Sequence, residues 1–143
     1  MLITNLDKKL IRTTITLVND KFDDGTNQII AEGLRTLCIV HFGGGSIMPN
    51  AEVSIYGLNM PAMLKLTRIR WRDINSMQNI IKIEAGNQGE ELKLVYEGNI
   101  TFAYIDMTSA PDVVFKIRSI TAIYNSYKPA TPVTYAGSVS VVS

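Results

Sequence analysis

Apolar side chains recur at every second position through most of this chain. That period puts them on one face of a strand, whereas a helix needs a period of 3.6. The chain is therefore expected to be mainly β. In residues 10–18, Ile11, Thr13, Ile15 and Leu17 share one face, and Arg12, Thr14 and Thr16 the other, the pattern of a half-buried antiparallel strand. Asp23-Asp24-Gly25-Thr26-Asn27 reads as a loop. Residues 34–42 are apolar almost throughout, which predicts a central strand, and Gly43-Gly44-Gly45-Ser46 then breaks the pattern. Alternation returns at 51–58, where Ala51, Val53 and Ile55 oppose Glu52, Ser54 and Tyr56.

A short helix is predicted at about 59–67. Asn59 can cap it, Pro61 falls in its first turn, and Met60, Met63, Leu64 and Thr67 recur at three- and four-residue spacing. Strands resume with Ile81, Ile83 and Ala85 on one face, followed by a hairpin loop at Gly86-Asn87-Gln88-Gly89. Residues 91–107 form one long strand or two abutting ones, with Gly98 expected to mark a structural bend. A strand over 112–124 and a last one near 133–142 complete the reading. The fold class is a bent antiparallel β-barrel or sandwich of about seven strands with one short helix.

At 143 residues with 46% hydrophobic content, the chain suffices for one core, so residues 1–143 are read as a single domain. The net charge of +1, with no long run of either sign, gives no electrostatic pointer to nucleic acid, a membrane surface or an acidic substrate. Residues 1–9 lack the pattern of a signal peptide. No apolar stretch nears the ~18 residues that cross a bilayer as a helix. The expected location is a cytoplasm.

Constellations for chemistry are sparse. The glycine run after His41-Phe42 lacks the Gly-Lys-Ser/Thr of a phosphate loop. Cys38 lies in an apolar run and is expected to pack rather than react. Cys38 and His41, three apart on a strand, point to opposite faces. No zinc-ligand or calcium-loop spacing occurs, so no metal, cofactor or catalytic residue is assigned. Asn99-Ile100-Thr101 matches a glycosylation triplet and is taken as chance. Phe102, Tyr104, Tyr124 and Tyr127 would suit a stacking platform, but the balanced charge lacks the basic footprint that specific nucleic-acid binding needs.

Three segments together resemble the first barrel domain of bacteriophage and prophage tail hub proteins. The first is Pro49-Asn50-Ala51-Glu52-Val53-Ser54-Ile55-Tyr56-Gly57-Leu58, leading into Met60–Thr67. The second is Ile81-Lys82-Ile83-Glu84-Ala85-Gly86, a polar turn, then Leu94-Val95-Tyr96-Glu97-Gly98-Asn99-Ile100. The third is Ser109-Ala110-Pro111-Asp112-Val113-Val114-Phe115-Lys116-Ile117, followed by Pro132-Val133-Thr134-Tyr135-Ala136-Gly137-Ser138-Val139. With the opening strand, the resemblance spans nearly all of 10–143 and lies in arrangement rather than in a single motif.

The resemblance implies a barrel related to tail-tube subunits, in a virion tail or baseplate assembled in the bacterial host cytoplasm. It implies a structural, non-enzymatic role in a ring around a central channel that joins tail tube to spike. Partners would be further copies, as a trimer or hexamer, with the tail tube, the spike and other baseplate proteins. Membrane and specific nucleic-acid binding are not expected, although DNA would have a path through the channel. Hub trimers carry two such barrels per chain, and this sequence stops near the end of the first. Either it is part of a longer hub, or it is a single-barrel tail-tube-like or adaptor subunit that closes by six-fold symmetry. The long apolar strands near 34–42 and 94–107 are the expected sources of a shared surface, and the loop 43–48 and the 68–78 segment are candidates for contact: Phe42, Gly43, Gly44 and Gly45, with Arg70, Trp71 and Arg72, are the candidate subunit contacts, Trp and Arg being enriched at interface hot spots. A barrel that holds one small ligand is the alternative of another class.

Overall fold

The computed structural model describes residues 8–67, 78–134 and 136–137. Its frame is one antiparallel sheet of seven strands: β1 (Lys9–Thr16), β2 (Gln28–Glu32), β3 (Thr36–His41), β4 (Asn50–Tyr56), β5 (Ile80–Asn87), β6 (Lys93–Asp106) and β7 (Val114–Ile120). Their spatial order is β2-β1-β5-β6-β7-β4-β3. The sheet bends around a core without closing, and β2 and β3 are its two edges. Gly33, Leu34 and Arg35 join one edge to the other. Gly33 has φ 77°, a left-handed conformation that a residue without Cβ takes at little cost.

Alternation sorts the side chains as expected. Thr13 and Ile15 from β1, Leu17 just after it, Val53 and Ile55 from β4, Ile81 and Ile83 from β5, and Phe115 and Ile117 from β7 are fully buried. Each large aliphatic or aromatic side chain so removed from water contributes about 1.5–3 kcal/mol. Helix α1 (Met60–Leu66) packs against β6 and buries Ala62, Met63 and Leu66. Asn59 caps it, its side chain accepting from the Ala62 N–H at 3.0 Å. Met60 and Leu64 face outward instead of joining that buried stripe.

The bend comes from β6. Its pairing with β5 skips Val95, and its pairing with β7 skips Thr101. Each extra residue makes a bulge, which raises local twist and curls a sheet. Gly98 sits between these bulges and pairs regularly with Ile81. Its lack of a side chain serves a close approach: a Cβ there would lie 2.7 Å from Ser119 Oγ and still nearer the Tyr96 hydroxyl.

Four expectations need correction. Strand β2 escapes the alternation reading because five residues with adjacent Ile29 and Ile30 carry too little periodicity; pairing with β1 makes it a strand. The 34–42 run is not central. As β3 it pairs with β4 alone, and Leu37 and Ile39 are exposed. The strand expected over 112–124 ends at Ile120, and a second helix, α2 (Ile123–Tyr127), follows left-handed Ala122. In the stretch read as a last strand near 133–142, Val133, Thr134, Ala136 and Gly137 are exposed and outside any strand; Tyr135 and 138–142 lie outside the described residues.

Candidate interaction surface

One row of paired residues marks an end of the sheet: Gln28, Thr16, Ile80, Asn99, Ile120, Asn50 and His41, in order across the strands. Beyond that row lie the loops 17–27 and 42–49, and α2. Thr121 leaves β7 there and donates its N–H to Pro49 O at 2.9 Å. Gln78, which leads into β5, accepts from Asn19 Nδ2 at 2.6 Å and donates to the Tyr124 hydroxyl at 2.8 Å. Three separate stretches of chain are thus tied together at this end.

The loop 42–49 exposes Phe42 (68%), Ile47 (64%) and Met48. A Cβ on Gly43 would lie 2.6–2.8 Å from Ile47, so glycine there lets Ile47 fold back over the loop. Ile47 N–H meets Gly44 O at 3.4 Å. Gly44 and Gly45 have open space where a Cβ would be. Val18 and Tyr127 are also exposed at this end, and Leu37 and Ile39 are exposed on the outward side of β3, opposite Ser54 and Glu52. From Thr36 to Ala51 the sequence has no Asp, Glu, Lys or Arg. An edge strand without such guards, joined to exposed apolar loops, is the makeup of a surface that pairs with another molecule.

Of the residues singled out from sequence, Phe42 and Gly43–Gly45 fall on this surface. Arg70, Trp71 and Arg72 lie outside the described residues. The sequence reading put a shared surface on the strand near 34–42 and on the loop 43–48, which hold Leu37, Ile39, Ile47 and Met48, but did not single out Val18 or Tyr127 for contact.

Elsewhere the outer surface mixes ion pairs with exposed apolar side chains such as Ile30, Leu64, Leu94 and Met107. Arg12 pairs with Glu32 at 2.7 Å and Glu84 at 3.8 Å, while Lys82 pairs with Glu84 at 3.1 Å. They line an open trough across β2, β1 and β5. The rings of Phe102 and Tyr104 meet at a tilt of 47° with centroids 5.1 Å apart on the opposite half, where Lys116 pairs with Asp106 at 2.7 Å and Arg118 with Glu52 at 3.3 Å. A smaller open cleft of about 310 Å³ separates the 17–27 loop from α1.

Among the described residues no three His, Cys, Asp or Glu side chains cluster as a metal site. Cys38 is half-buried toward the core and His41 points to the other face. Burial pushes the Cys38 thiol up to about 11, so it stays protonated at neutral pH. No family model matches the chain, and no curated protein matches it.

Proposed function

We propose that this chain is a structural subunit of a phage-type tail or baseplate hub, which works by assembling into a ring around a central channel between tail tube and spike. Its chemistry on this reading is that of packing, with no catalysis. The observation that carries the assembly half of the proposal is the unguarded edge strand β3 with Leu37 and Ile39 outward, running into a charge-free loop that exposes Phe42, Ile47 and Met48. The tail-hub half rests on the resemblance of the 49–67, 81–100 and 109–139 segments.

A single-barrel tail-tube-like or adaptor subunit shares the same assembly and differs in stoichiometry. Negative-stain images of the purified protein test the reading. Annular particles with a central hole are expected, and class averages showing three or six lobes choose between the stoichiometries. Compact particles without a hole at every concentration would count against it.

A further inference from the structure

Among the described residues, edge strand β3 pairs with β4 alone. Tyr56 donates its N–H to Arg35 O at 2.9 Å, which makes Arg35 and Tyr56 a hydrogen-bonded pair in the antiparallel register of β3 with β4. Such pairs recur at every second residue. Leu37, Ile39 and His41 therefore turn their N–H and C=O groups toward β4, and Thr36, Cys38 and Val40 turn theirs toward the open edge.

The molecule also carries an exposed arm. Helix α2 ends at Tyr127, and every described residue from there to Gly137 is exposed and outside any strand. Lys128 is extended, with ψ 129°. Pro129 and Pro132 have φ fixed by their rings and hold the residues before them extended. No Asp, Glu, Lys or Arg occurs from 129 to 143, as none occurs from 36 to 51, and no other stretch of the sequence is free of them for so long. We propose that the arm of one copy lies along β3 of the next copy as an added antiparallel strand. This inference rests on the ring reading and names the partner of the β3 edge.

The arm has the chemistry for that edge. Two strands without charged side chains take no ion out of water when they pair. Alternate residues of an added strand direct their N–H and C=O groups to the edge it joins. With Thr131 and Val133 in that phase, Pro132 falls between them, where no N–H is needed. The proline then guards the new edge, since it offers no donor to a further strand. Ala130 and Thr134, in phase with Pro132, come beside Leu37 and Ile39 on the outward face, and those two aliphatic side chains are exposed without them. An antiparallel direction matches every pairing in this sheet.

Reach sets the partner. Extended chain rises roughly 3.3 Å per residue, so Lys128–Gly137 spans on the order of 30 Å. The β3 strand of the same copy lies two strands from β7, a step of about 10 Å. The arm is longer than that step, and its described residues are all exposed instead of packed on their own sheet. Each copy gives one arm and receives one, a head-to-tail contact that generates a ring when its rotation closes.

The test uses the full chain carrying Cys38→Ser. Ile39→Cys on one chain is mixed with Ala130→Cys, Thr134→Cys or Val133→Cys on another, and oxidised. A disulfide-linked dimer that forms only in the mixture is expected with Ala130→Cys or Thr134→Cys, which share the Ile39 face, and not with Val133→Cys, which takes the other. Val133→Pro removes an N–H aimed at β3 and is expected to raise the dissociation constant of the contact about tenfold, whereas Ala130→Pro, in phase with Pro132, leaves it unchanged. Equal linking at all three positions, no linking at any, or closure within a single chain when both cysteines are placed on it would overturn the proposal. If the wild type assembles while these results go against the arm, the contact is wrong and the ring reading stands. If the wild type never assembles, both fall.

Discussion

The hydroxyls of Tyr96 and Ser119 meet at 3.0 Å inside the core, across the pairing of β6 with β7. Both are buried. Each satisfies the other's hydrogen-bonding need, and the pair occupies the space left by Gly98, which follows Tyr96 on the same face. Gly98→Ala should therefore destabilise by about 1–3 kcal/mol, the usual cost of overpacking. Tyr96→Phe should cost about 1–2 kcal/mol by leaving the Ser119 hydroxyl buried and unpaired. Denaturant unfolding of the two variants measures both.

Thr13 presents the opposite case. Its Oγ1 is buried and has no hydrogen-bond partner among the described residues. An unpaired buried hydroxyl is a standing cost, so Thr13→Val should be neutral or stabilising by up to about 1 kcal/mol. A midpoint lowered in denaturant would show that the hydroxyl is paired.

Asn59→Ala tests how α1 is held. Removing a side-chain cap of this kind costs about 1 kcal/mol. The loss should show as a lower unfolding midpoint, with Asn59→Asp retaining most of the stability because its carboxylate also accepts from the Ala62 N–H.

Asp106 carries the clearest pH dependence. Hydrogen bonds from Lys116 and from the Thr108 hydroxyl and N–H hold its carboxyl well below the usual carboxylate range. A depressed carboxylate contributes stability that is present above its unfolded value, about pH 3.9, and is lost as pH falls toward the folded value. Lys116 is shifted up by the same partner, so its share is lost only in strongly alkaline solution. Thermal melts from about pH 6 down to pH 3 should fall more steeply for the wild type than for Asp106→Asn. Parallel curves would contradict this assignment.

The sheet was legible in the sequence wherever a strand was long and had one polar face. The faces of β1, β4 and β5 followed from alternation, and α1 from its Asn59 and Pro61 signals. What failed has a common cause: sequence patterns report apolarity, whereas burial depends on neighbours. The run at 34–42 looked fully buried, yet β3 has a partner on one side only, so Leu37 and Ile39 face solvent. Short β2 depends on β1 for its existence, and the bulges at Val95 and Thr101 are fixed by pairing rather than by Gly98. For the candidate surface, Phe42 and the glycines were legible from the broken pattern. The strand near 34–42 was read both as central and as a source of shared surface, because an exposed interface and a core share the same composition.

The central claim is that the exposed β3 edge and its loop are an assembly surface between copies. Light scattering on a sizing column, over a wide range of loading concentrations, measures the mass in solution directly. The account predicts a mass of three or six chains of 15.8 kDa that shifts toward monomer on dilution and with Phe42→Ala. A strict monomer throughout, unchanged by that substitution, would contradict it.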